Sequence, residues 1–73
     1  MRYAIVIEKA GGNFSAYSPD VPGCGATGET REEAEEVLRE AIAFHIEGLR
    51  EERLPIPEPL SRVDYVDVPV AGE

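Results

Sequence analysis

The sequence contains no tryptophan, a single cysteine, a single histidine and no long apolar run in its 73 residues. Each scarcity excludes something. Cys24 has no partner for an intrachain disulfide, so the fold must rest on packing alone. His45 has no second histidine or cysteine at ligand spacing, and it lies a full element away from Cys24, so neither a metal motif nor an activated thiol follows. No cofactor is expected. No stretch approaches the roughly 18 consecutive apolar residues of a membrane span, and the Met1 end has neither a basic segment nor an apolar core of a secretory signal. A cytoplasmic protein without membrane contact is expected.

Positive charge is the other scarcity. Seven basic residues stand against fifteen acidic ones, a net charge of −8, which opposes direct contact with nucleic acid and suits a basic partner. What is present is aliphatic: hydrophobic residues make up 42% of the chain and aromatics only 7%. This composition folds, as one domain over residues 1–73. Domains of this size bury only about 60% of the surface that the unfolded chain exposes, so a homodimer or tetramer is the expected way to gain core.

The order of elements reads β-β-β-α-β, an α+β arrangement of an antiparallel sheet with one helix on a face. "RYAIVIE", Arg2 to Glu8, has an almost unbroken apolar middle and reads as a central strand covered on both faces. Gly11 and Gly12 supply a tight hairpin. "NFSAYS" alternates, with Phe14, Ala16 and Ser18 on one face and Ser15 and Tyr17 on the other. Pro19 and Pro22 then break the ladder, leaving Val21 and Pro22 as a loop with potential for recognition, and Cys24 to Thr27 form a short third strand.

"TREE" opens the helix. Thr30 accepts from the amide of Glu33, and Glu33 reaches back to Thr30 in a capping box. Ala34, Val37, Leu38, Ala41, Ile42, His45, Ile46 and Leu49 form one apolar stripe, and fraying is expected near Arg53 because Pro55 cannot continue the helix. "PIPEP" is a stiff connector. "VDYVDVPV", from Val63, returns to strand character, with Pro69 placing it at an edge. Asp64 and Asp67 fall on opposite faces of a regular strand, which argues against a shared metal.

"GCGATG", Gly23 to Gly28, matches the G-x-G-x-x-G spacing of dinucleotide loops. The match lacks its context. Those glycines must join a buried strand to a helix within a parallel βαβ unit, and here they sit in a hairpin connection and an antiparallel strand. Turns and close packing under the helix account for them.

At "SPDVPGCGATGETREEA", Ser18 to Ala34, the chain resembles the HicB family of bacterial and archaeal antitoxins. The shared features are a P-D-x-P-G-C loop, a G-x-T-x-E-E-A helix start and a P-x-P tail, here Pro19, Asp20, Pro22, Gly23, Cys24, Gly28, Thr30, Glu32, Glu33, Ala34, Pro55 and Pro57. The resemblance implies a partial RNase H-like fold and neutralisation of a small basic ribonuclease, a HicA-like toxin, through its active or RNA-binding surface. Asp20, Pro22 and Cys24 are the candidate partner contacts. An RNase H-like fold raises the rival of a metal-dependent nuclease, but no acidic residue lies between Arg2 and Ile7 to supply a central ligand, so no catalytic residue is assigned and no enzyme is expected. Family members that repress their own operons carry a DNA-binding segment after this domain. None is read before Glu73, so operator binding is not expected of these residues. Arg53 and Leu54 stand where many relatives place a glycine turn. A solitary, self-associating scaffold or small-ligand module without a toxin is the alternative function.

Overall fold

A computed structural model describes residues 1–72; Glu73 lies outside the described residues. Three strands, β1 (Val6–Ala10), β2 (Asn13–Tyr17) and β3 (Gly25–Gly28), precede one helix, α1 (Arg31–Glu51). The strands form an antiparallel meander in the order β1-β2-β3, with Val6 opposite Tyr17 and Phe14 opposite Gly28. The fold is α+β. Gly11, at φ 62, provides the left-handed turn of the hairpin between β1 and β2.

Alternation in β2 sets the inward face. Ala16 and Ser18 are buried, whereas Tyr17 points outward. Helix α1 crosses this face, lying chiefly on β3 and β2 and touching β1 least. Its buried positions, Ala34, Leu38 and Ile42, are one helical turn apart, the spacing that places side chains on a single stripe. With Ala16 and Val21 they form the core, flanked by half-buried Ile5, Ile7, Phe14 and Ile46.

The helix ends differ in detail from the capping pattern in the sequence. Thr30 Oγ1 accepts from the Glu33 amide at 3.0 Å, as expected. The Glu33 carboxylate instead accepts from the Glu29 amide at 2.9 Å, one residue before the cap. At the other end the Arg53 amide donates to the Arg50 carbonyl and the Leu54 amide to the Leu49 carbonyl, the paired bonds of a Schellman cap. Arg53 fills its left-handed position at φ 58, where glycine is usual.

Three expectations need correction. The first strand is an edge, not the centre: β2 is central, and β1 has a neighbour on one side only among the described residues. A continuous apolar run shows that both faces need cover without showing how many strands flank it. Val21 is not an exposed recognition residue but is fully buried, because the turn from Ser18 to Cys24 folds it beneath the helix. The strand expected from Val63 pairs with nothing among the described residues, and positions 63–70 are exposed throughout. Val63 and Tyr65 would occupy one face and Val66, Val68 and Val70 the other, so such a strand needs apolar cover on both sides, which a sheet with one helix does not provide. The radius of gyration, 14.9 Å, accordingly exceeds the roughly 11 Å of a compact chain of this length.

Candidate functional site

The loop between β2 and β3 is built from the inside out. Ser18, itself buried, donates from Oγ to the Ala4 carbonyl at 2.8 Å and ties the loop to the start of the chain. The Val21 amide then donates to the Ser18 carbonyl and the Cys24 amide to the Val21 carbonyl. Two successive turns result, and Gly23 takes the left-handed conformation at φ 89 that the second requires.

This scaffold separates the three candidate contact residues. Asp20 is occupied within the chain: one carboxylate oxygen accepts from the Ser61 amide and the other from the Ser61 hydroxyl, each at 2.8 Å. It fastens the C-terminal segment to the loop. Pro22 is exposed at the loop tip, and Cys24 is half-buried. Cys24 lies in a groove of about 480 Å³ between Gly23–Gly25 and the C-terminal half of α1, opposite His45 and Gly48. The fold thus brings Cys24 and His45 to one groove, although they belong to separate elements. No group of three or more histidine, cysteine or acidic side chains is placed to hold a metal ion among the described residues.

The helical wall of this groove departs from local rules at three places. Phe44 is 84% exposed, a large apolar ring on the flank away from the buried stripe. Gly48 interrupts the helix, where glycine costs about 1 kcal/mol relative to alanine, yet a Cβ there would meet nothing within 4 Å. Glu51 and Glu52 border the groove at the C-terminal end of the helix, where the dipole already concentrates negative potential and Arg50 is the only basic residue of the last turn. Opposite, Gly25 has open space around its Cβ position, with only the Ala16 carbonyl oxygen at 3.8 Å. None of these choices benefits the isolated chain. An exposed ring, two glycines and an acidic end line one groove. Sequence reasoning places His45 on the stripe and Cys24 at the start of the third strand but misses Phe44, Gly48 and the acidic end; the available signal is an apolar residue off the stripe, one turn from a mid-helix glycine.

Residues 3–69 match a family model described as the HicB_like antitoxin of bacterial toxin-antitoxin systems. The chain belongs to this family. Among curated relatives, this HicB-like chain is 44% identical over 71 residues to an uncharacterised 14.9 kDa protein from the rep-hol intergenic region of Haemophilus phage HP1, covering 94% of the chain and 52% of that protein. It is 40% identical over 75 residues to Antitoxin HicB 1 of Photorhabdus laumondii, with coverage of 97% and 47%. It is 39% identical over 57 residues to a UPF0150 protein of Synechocystis, with coverage of 77% and 72%. The HicB-like chain spans about half the length of the first two. No solved structure matches it. None of its described helices is long and apolar enough to cross a membrane.

Proposed function

We propose that this HicB-like chain binds and neutralises a small basic ribonuclease toxin of the HicA type, covering its active or RNA-binding surface, and that it has no catalytic activity of its own. Membership of an antitoxin family gives the toxin-antitoxin context. The groove beside Cys24 carries the reading: its apolar floor, exposed Phe44 and the acidic pair Glu51 and Glu52 suit a cationic protein surface bearing an apolar anchor. A net charge of −8 steers such a partner toward the chain. Pro22 and Cys24 border the contact, while Asp20 acts indirectly by holding the loop to Ser61.

The test measures binding to a HicA-type protein and suppression of its RNA cleavage, for the wild-type chain and for Gly48→Ala. Alanine at this position adds helix propensity in open space, so the variant should melt higher while its added methyl projects into the groove where a partner would sit. A rise in stability accompanied by a loss of affinity of about tenfold or more, the 1.4 kcal/mol that a poorly fitted hot-spot contact readily costs, supports the reading. Unchanged affinity for Gly48→Ala would remove the groove from the interface. No binding at low salt, where attraction between opposite charges is strongest, would remove the toxin.

A further inference from the structure

The two edges of the sheet are guarded differently. β1 carries Glu8 and Lys9, and charged side chains are a usual defence of an open edge against pairing. β3 has neither a charge nor a proline, and among the described residues it pairs with β2 alone. Alternate amides and carbonyls of β3 therefore point away from its one neighbour. Gly25 and Thr27 are exposed.

This bare edge begins inside the groove beside Cys24. Gly23, Cys24 and Gly25 form one wall; a Cβ at Gly48 would meet nothing within 4 Å, and one at Gly25 only the Ala16 carbonyl oxygen at 3.8 Å. Another backbone can approach here without striking a side chain. Direction follows from the packing. Gly28 lies against Glu33 and Ala34 at the start of α1, whereas Gly23–Gly25 line the groove with Ala41, Phe44 and Glu52, so β3 and α1 run in opposite directions. A strand added antiparallel to β3 runs the same way as the helix, and its C-terminal end points toward Glu51 and Glu52.

Charge selects this groove over its counterpart. A second groove, of about 700 Å³, lies on the opposite flank of α1 with Arg39 and Arg50 in its wall, but these arginines pair with Glu35, Glu36 and Glu47. Among the described residues no ion pair reaches Glu51 or Glu52.

Resting on the reading of this chain as a toxin binder, we propose that the basic partner docks by adding an extended segment to β3. The segment lies antiparallel to β3, places an apolar side chain in the groove beside Phe44 and Gly48, and brings a cationic residue near its C-terminal end to Glu51 and Glu52. The backbone ladder holds it, and the side chain entering the groove gives specificity.

Amide hydrogen exchange of the full chain, alone and bound to a HicA-type protein, tests this. The outward amides of Gly25–Gly28 should exchange freely in the unbound chain and slow by at least about tenfold in the complex. Glu51→Lys/Glu52→Lys is the second arm. Both positions are exposed, and cations at a helix C-terminus favour the fold, so a fall in affinity reads the contact rather than unfolding. A loss of about tenfold or more is expected. Undiminished exchange along β3 in a formed complex, the result of a partner helix laid in the groove, overturns strand addition and leaves toxin binding standing. Protection of β3 with affinity unchanged by the charge reversal overturns the assigned direction. Absence of any complex at low salt removes the toxin and the added strand together.

Discussion

Gly28→Ala should be the most damaging single-methyl change in this chain, although Gly28 has no unusual backbone angle. The residue ends β3, where the strand passes beneath the first turn of α1. A Cβ at this position would lie 2.5 Å from the Ala34 nitrogen and 3.0 Å from both the Ala34 Cα and the Glu33 carbonyl carbon. All three are backbone atoms of a capped helix, so no rotamer change relieves the overlap. Strand and helix must separate by about 1 Å, and a gap of 0.5–1 Å on a contact already forfeits about a quarter to a half of its dispersion energy. Ala34 and Leu38, both fully buried, lie on the face that would lift. Overpacking of this kind costs about 1–3 kcal/mol, and the rigidity of the obstacle places Gly28 toward the upper end, about 2–3 kcal/mol. Total stability for 73 residues is of the order of 4–11 kcal/mol, so the fraction lost is large. Urea unfolding followed by helical circular dichroism measures it: with a slope near 1 kcal/mol/M, the midpoint should fall by about 2–3 M. Gly12→Ala is the control, since a Cβ there meets nothing within 4 Å and its φ is not positive. A Gly28→Ala midpoint within about 0.5 M of wild type would refute the close-approach argument, at the slope just given.

Two further stability changes follow from the helix ends. Arg53→Gly relieves a left-handed residue at φ 58 while keeping both bonds of the cap, and should raise stability by about 0.5–1 kcal/mol, seen as a melting temperature several degrees higher. Thr30→Ala removes the acceptor for the Glu33 amide and should lower stability by about 1 kcal/mol, or about 4–8 °C in the same melt.

The legibility of these features in the sequence depended on how local their causes are. The helix could be read because its start is marked by the side chain of Thr30, its interior by a 3.6-residue period and its end by Pro55, all within the helix or a few residues of it. The hairpin could be read from Gly11 and Gly12 for the same reason. The rank of β1 in the sheet was not legible, because whether Ile5 and Ile7 face one neighbouring strand or two depends on where a distant segment goes. Val21 was misread because "PDVPG" has the composition of an exposed turn, whereas the turn's function here is to carry one aliphatic side chain inward. The glycines of "GCGATG" could be denied a phosphate from topology alone, but not told apart. The structure gives them three different roles: Gly23 takes a left-handed φ, Gly25 keeps a trough open and Gly28 allows the helix to approach.

The helix borders both grooves. At 100° per residue, Arg39, Ala43, Ile46 and Arg50 lie on one side of the buried line through Leu38, while Ala41, Phe44, Gly48 and Glu51 lie on the other. One flank carries Arg39 and Arg50, paired with Glu35, Glu36 and Glu47, and the other ends in Glu51 and Glu52.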